Sequence, residues 1–317
     1  MVKAAYCYLF GKYTPRPSAK NFSVIYQKMY LIKENQQADT INGYGELMHG
    51  VCLATDADNY KSLSESMNPM TLNALMNKYY STMFPVIKAH NGLIANLMDD
   101  ALIALWAKPI AETQLRSDAC YAALKINSAL QEFNHLPSPQ LPTYLGLHYG
   151  EMRLSNHKLM EDYGGLPVGN IITTSTQIEA LNKILGTRIL VSATVIEGLS
   201  GFISREIGVF LLKDTTQPIV IFELIDKNDQ IDPKLAPLLY AFAKALHLFQ
   251  QCQWKKAQKS FVNIHKYYPN DGPTIFYINH LERHLTQCPN NPMYKPVIEV
   301  SHLSASRQEL YSNLGIQ

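Results

Sequence analysis

Two aspartates close apolar runs in a way that could do chemistry. Asp56 follows "VCLAT" (51–55), a compact apolar run that reads as a buried strand, and Asp100 lies in the acidic break Asp99-Asp100 between "LIANLM" and "ALIALW". Two apolar runs around a two-residue turn read as a β-hairpin, although Asp-Asp is a weaker turn pair than Asp-Gly. A strand, a helix and that hairpin in succession bring both carboxylates to the ends of adjacent strands. Such a pair suits two hard divalent cations, because magnesium takes a few carboxylates and completes its shell with phosphate oxygens. The loop "ADNYKSL" after Asp56, which carries Asp58, Asn59 and Tyr60, would then offer backbone N–H groups to phosphate, as helix N-termini do. The competing reading is local, since turn aspartates are common and often only satisfy neighbouring backbone donors.

A second stretch, "GGLPVGNIITTSTQIEALNK" (164–183), opens like a phosphate-binding turn running into a helix, yet it holds no basic residue before Lys183. Other candidates carry less. His280 and His284, four apart on a helical segment, could share a metal, but no third ligand is evident in the sequence. Tyr79-Tyr80 and Tyr267-Tyr268 read as packing aromatics, and Cys52 as a small apolar core residue.

These residues must be positioned by a chain of 317 residues, 47% hydrophobic and 17% charged, which can bury at least one full core with smaller appendages. Its 28 basic and 26 acidic residues are dispersed rather than gathered in a stripe, which argues against nucleic acid as a partner. The cysteines, Cys7, Cys52, Cys120, Cys252 and Cys288, are odd in number and lack CxxC spacing, as fits a reduced, cytoplasmic compartment. No apolar run reaches the roughly 18 residues of a spanning helix. "MVKAAYCYLFGKY" is too short for a leader and lacks a small-residue cleavage pattern, so membrane association would come through a partner or a segment outside this sequence.

Along the chain, "NFSVIYQKMYLIKEN" puts Ile25, Met29 and Ile32 at helical spacing and predicts a short lead-in helix. Asn68 and Pro69 stand at cap and first-turn positions of a long helix that stops at Asn91-Gly92. After the hairpin, a helix is expected over roughly 114–134. A strand over 143–154 follows, bulged or closely approached at Gly146 and Gly150. A helix from about Gly169 to Ile184, a strand "RILVS" and a terminal strand pair, "ISREIGVFLL" and "PIVIFELI", complete the order. β-α-β-β-α-β defines an α+β, ferredoxin-like core with extra strands and a mainly antiparallel sheet. The polar linker "DKNDQIDPK" separates it from a helical tail in which Leu238, Phe242, Ala245 and Phe249 share one face, and Trp254, Ala257, Phe261 and Ile264 another. The expected division is a lead-in over 1–47, a core over 48–227, a helical tail over 235–290 and a C-terminal segment over 291–317.

Several of these stretches together resemble class III adenylate and guanylate cyclases. "VCLATDADNYKSLSESMNP" is similar to their first metal strand and turn, "HNGLIANLMDDALIALWAKP" to the G-G-x-x-x-K-x-x-G-D hairpin, and "YLGLHYGE" to the G-I-x-x-G strand. "TTSTQIEALNKILGTRILVS" resembles the V-N-x-A-x-R-I-E-x-L-N helix with its following strand, and "GVFLLKDTTQPIVIFELI" the closing L-K-G hairpin. The motifs run in order from about residue 48 to 226, which is more specific than any one of them. "ALHLFQQCQWKKAQKSFVNIHKYYPNDGP" resembles the tetratricopeptide-like segment that often follows bacterial cyclase domains. One unit and a fraction cannot stand as a solenoid, so it is expected to pack on the core or on a protein partner.

The resemblance implies a reaction, cyclisation of ATP or GTP with release of pyrophosphate, on two Mg2+ or Mn2+ ions held by Asp56, Asp100 and the carbonyl of Ala57. Tyr60 takes the place of the phosphate-loop phenylalanine, and Asp99 that of a glycine. The base-reading lysine falls at Asn96 and its partner at Leu166, while the asparagine and arginine of the transition-state helix fall on Thr173 and Gln177. Glutamine lacks the charge with which arginine stabilises a transferring phosphoryl group. Asn170, one turn earlier, could replace the asparagine, and Lys213 matches the lysine of the closing hairpin. Family sites form between two subunits, so a chain that keeps metal residues and lacks the others looks like the metal-bearing half of a composite site, in a homodimer or with a complementary subunit. The alternative is a non-catalytic pseudo-cyclase that acts as a binding module.

Overall fold

The computed structural model describes residues 44–107, 110–135, 139–155, 167–227, 232–233, 235–287 and 296–300. The lead-in helix, Leu166 and the segment after Val300 lie outside the described residues. A nine-stranded sheet organises the rest, in the order β2-β3-β1-β4-β6-β8-β7-β9 with β5 beside β4. Its strands are β1 (Tyr44–Ala57), β2 (Leu93–Met98), β3 (Ala101–Ala107), β4 (Thr143–Ser155), β5 (Pro167–Val168), β6 (Ile189–Ser192), β7 (Phe202–Leu211), β8 (Ile219–Lys227) and β9 (Val297–Glu299). The pairs β4/β6 and β7/β9 are parallel and the others antiparallel. This is the expected α+β architecture, with a helical extension at its C-terminal side.

The eight helices among the described residues are α1 (Tyr60–Ser66), α2 (Pro69–Ala89), α3 (Glu112–His135), α4 (Asn170–Leu185), α5 (Ala193–Ile196), α6 (Leu235–Gln250), α7 (Trp254–Tyr267) and α8 (Gly272–Gln287). The predicted start of α2 is met by Asn68, whose side chain accepts a hydrogen bond from Thr71 N at 2.9 Å, so one of the orphan N–H groups of the first turn is satisfied. The segment expected as the loop "ADNYKSL" instead turns helical at Tyr60. Asn59 enters it in the left-handed conformation (φ 72°), which asparagine tolerates. Leu63 then packs against the core.

Period-two alternation sorts the strand residues onto two faces. Val51 and Leu53 of β1 join α2 and α3 in the main core, around the fully buried Trp106, Tyr79 and Met83. Cys52 and Met48 face the other way, with Ile171 of α4. On that second face the C-terminal helices are part of the same structure. Ile178 and Leu181 of α4, Ile207 and Phe210 of β7, and Phe242, Phe261 and Tyr277 of α6 to α8 form one buried cluster. The Tyr277 hydroxyl donates to Ile207 O at 2.6 Å, beside Gly208, where a side chain would strike that same hydroxyl.

The register of β1 and β4 runs unbroken through Gly146 and Gly150, so neither glycine is a bulge. Gly146 is the closely approached one, since a Cβ there would collide with the backbone of α4 at Ser175 O and Glu179 N. At Gly150 the nearest neighbour is the His148 ring, 3.0 Å from a Cβ. Gly146→Ala is therefore expected to push α4 off the sheet and to cost roughly 2–3 kcal/mol, as overpacking of a tight core does. Urea unfolding measures the loss, and an unchanged midpoint would refute the close packing.

Candidate active site

The site begins with the way α4 is seated. Its Ser175 hydroxyl donates to Cys52 O at 3.1 Å, and Asn182, fully buried, donates to Leu145 O at 3.0 Å. With Gly146 between them, these bonds fix the rotation of the helix. Glu179, one turn before Lys183, lies on the face turned to the sheet and is 4% exposed. Lys183, itself half-buried, reaches the C-terminal end of β1.

At that end the two predicted carboxylates do meet. Asp56 pairs across the sheet with Ala101, the residue after Asp100. Asp100 is coupled to Asp56 closely enough that its proton is held more tightly than usual, first through burial and then through the charge of Asp56. The expected hairpin forms, and its weak turn pair is accommodated by Asp99 in the left-handed region (φ 47°), where the Tyr80 hydroxyl donates to its carbonyl. The glycine that the family pattern places there is thus replaced by a residue in a conformation that favours glycine.

A cation already stands in the acidic cluster. The Lys183 ammonium lies 2.6 Å from Asp56 Oδ2 and 2.9 Å from Asp58 Oδ1. Burial works against its charge, but the hydrogen bonds and charges of Asp56 and Asp58 outweigh that and raise its pKa. Glu179 is pushed up to about 8, by burial and then by the charge of Asp56. Its Oε1 is buried with no hydrogen-bond partner, an exception that calls for an explanation in a folded protein. Neither Lys183 nor Glu179 was singled out as a site residue from sequence. The available signal was their i, i+4 spacing on the helix, which puts them on one face.

The donor set fits a hard cation. It is all oxygen, an ammonium occupies it, and a buried carboxyl oxygen beside it is unsatisfied. No group of three or more His, Cys, Asp or Glu in metal-binding geometry occurs among the described residues, so further ligands would be the buried Ala57 carbonyl, water or a substrate. Magnesium is commonly held in this partial way.

Apart from Asp58 and Tyr60, the remaining candidates lie on other parts of the fold. Asp58 N donates to Pro142 O at 2.8 Å, and Tyr60 packs against the main core with its hydroxyl proton held tightly by burial and the charges of Asp99 and Asp100. Asn96 sits half-buried at the irregularity in β2, where Oδ1 accepts from Leu97 N at 2.8 Å. Asn170 and Thr173 are exposed on the first turn of α4. Gln177 is engaged with the closing hairpin, its Oε1 accepting from Lys213 N at 2.7 Å and its Nε2 donating to Lys213 O at 3.1 Å. His280 and His284 lie among aromatic rings, against Phe276 and Trp254, and the pKa of His280 is lowered to about 4, first by burial.

A mixed sheet in this strand order, with two carboxylates at the ends of β1 and the β2–β3 hairpin and α4 laid across β1 and β4, is the fold of class III nucleotide cyclase catalytic domains, and the chain is similar in sequence to curated adenylate cyclases. The chain is 26% identical over 176 residues to adenylate cyclase 1 of Rhizobium meliloti (strain 1021), covering 54% of this chain and 26% of that one. It is 26% identical over 156 residues to an adenylate cyclase of Anabaena cylindrica, covering 47% of this chain and 30% of that one. The chain thus spans between about a quarter and a third of the length of these curated relatives. Among solved structures, the guanylyl cyclase Cya2 superposes with a TM-score of 0.52 at 23% identity, over 60% of this chain and 98% of that one. No family model matches the chain. No helix among the described residues is long and apolar enough to cross a membrane.

Proposed function

We propose that this chain is a nucleotide cyclase subunit that contributes the metal-bearing half of a composite site and turns over ATP or GTP only with a complementary subunit. The observation that carries the reading is the meeting of Asp56 and Asp100 beside Lys183 and Glu179, on a fold shared with cyclase domains, while Gln177 spends its side chain on the Lys213 backbone. Two Mg2+ or Mn2+ ions, when bound, would supply the Lewis acid that activates the ribose 3′-hydroxyl and neutralises the leaving pyrophosphate.

In this reading Asp56, Asp100 and the Ala57 carbonyl hold the ions, and the turn over Asp58, Asn59 and Tyr60 receives the triphosphate. Asn96 faces the base, and the resemblance implies Leu166 as the second base-reading position; Asn170, Thr173 and Gln177 stand where a transition-state helix would act, and Lys213 borders the phosphates. None of the last four but lysine carries a charge to oppose that of the phosphoryl group. Loss of one such stabiliser costs on the order of 100- to 1,000-fold in rate in comparable sites.

The isolated chain is expected to show little cyclisation of ATP or GTP with Mn2+, and Asp56→Ala to abolish the rate that a complementary subunit restores. Robust turnover by the isolated chain would overturn the half-site reading. Absence of triphosphate binding in calorimetry with Mg2+ and a non-hydrolysable analogue would instead favour a non-catalytic binding module.

A further inference from the structure

We propose that Lys183 is the resident counter-ion of the cation site, an ammonium that fills the position beside Asp56 and leaves it when a divalent ion enters. The inference rests on the cation-site reading above and adds a competitor for that site within the chain. Three observations carry it. One ammonium bridges Asp56 Oδ2 and Asp58 Oδ1 at 2.6 and 2.9 Å, so it sits on the carboxylate that a metal would need. The helix that carries it is pinned by Ser175 and Asn182, so its reach to β1 is built into the packing. Glu179, 4% exposed and with Oε1 unpartnered, lies one helical turn away and is electrostatically coupled to Asp56, Asp58 and Asp100. The cluster therefore holds more acidic groups than Lys183 alone can satisfy.

The physical consequence is competition. Without metal, the ammonium relieves the repulsion among the carboxylates and stabilises the fold. With metal, the same hydrogen bonds must break, and their loss subtracts from the binding free energy. Charge-assisted hydrogen bonds are stronger than neutral ones, but Lys183 is 35% exposed at its side chain, so solvent screens part of the effect. Lys183 thus sets how much free cation is required before the site fills, and its four-carbon stem lets the head move into solvent without moving α4.

The test uses the full chain and Mn2+ alone, with free Mn2+ followed by electron paramagnetic resonance. Lys183→Met is expected to bind Mn2+ about tenfold more tightly than wild type, on the scale of one charge-assisted interaction. It should melt lower without metal and gain more in melting temperature on saturation. Equal or weaker Mn2+ affinity in Lys183→Met would overturn the counter-ion role alone. No Mn2+ binding by either protein up to millimolar concentration would overturn the cation-site reading and the counter-ion role with it. Should Lys183→Met fail to fold, the wild-type chain answers by reductive methylation with 13C-formaldehyde. Mg2+ is expected to speed modification of Lys183 several-fold while leaving the other lysines unchanged, and an unaltered Lys183 rate would refute its displacement.

Discussion

Arg205→Ala is expected to destabilise the protein by about 3–5 kcal/mol, the largest loss anticipated for any single side chain here. The Arg205 side chain is 6% exposed. It donates from Nε and Nη2 to Glu223 and from Nη1 to Asp271 Oδ1 at 2.8 Å. Its removal leaves two partly buried carboxylates, 17% and 8% exposed at their side chains, without a cation, and such a broken pair costs far more than the intact pair contributes. Asp271 also opens α8, where Oδ2 accepts from Thr274 N at 3.1 Å and from the Thr274 hydroxyl at 2.6 Å. One guanidinium thus ties β7 and β8 to the start of α8. Denaturant unfolding is the measurement, and a loss below about 1 kcal/mol, the scale of an exposed pair, would show that the network is not buried in solution.

Glu179→Gln is expected to change how stability depends on pH in the absence of divalent ions. The ordinary value for this carboxyl is 4.5, whereas burial and the charge of Asp56 push it to about 8 in the folded chain. Between those values the folded state holds a proton that the unfolded state has released, so stability falls as pH rises through that window. The full difference corresponds to on the order of 3–5 kcal/mol at pH 8. Glutamine has no proton to lose. The variant should match wild type near pH 5 and exceed it increasingly toward pH 8, as read from urea midpoints at the two values. Parallel profiles would mean that Glu179 is ionised and paired in the folded protein. Glu179 belongs to the same chain of consequences as Lys183, since it is close enough to Asp56 and Asp58 to share their field.

Much of the fold was legible because it follows from local patterns. The start of α2 at Asn68-Pro69, the hairpin around Asp99-Asp100 and the stripe Leu238, Phe242, Ala245, Phe249 each needed only cap chemistry, turn chemistry or helical period. The helix in the segment read as a loop after Asp56 was not legible, because it depends on a left-handed Asn59 and on a core for Leu63. β9 was missed for a different reason. Three residues, Val297–Glu299, find their partner in β7, some ninety positions away in the chain, and so short a run has no period of its own.

The candidate site divides in the same way. By itself the sequence determined the chemical types, two strand-end carboxylates and a helix whose Thr173 and Gln177 carry no charge, because residue type and spacing are local information. Only the tertiary structure decided that the Lys183 ammonium would lie between Asp56 and Asp58, that Glu179 would be buried near them with its Oε1 unpartnered, and that Gln177 would be bound to the Lys213 backbone. Those facts are set by the rotation of one helix over Gly146. That rotation is fixed by contacts across more than a hundred residues, Ser175 to Cys52 among them, and no window of sequence contains both sides of such a contact.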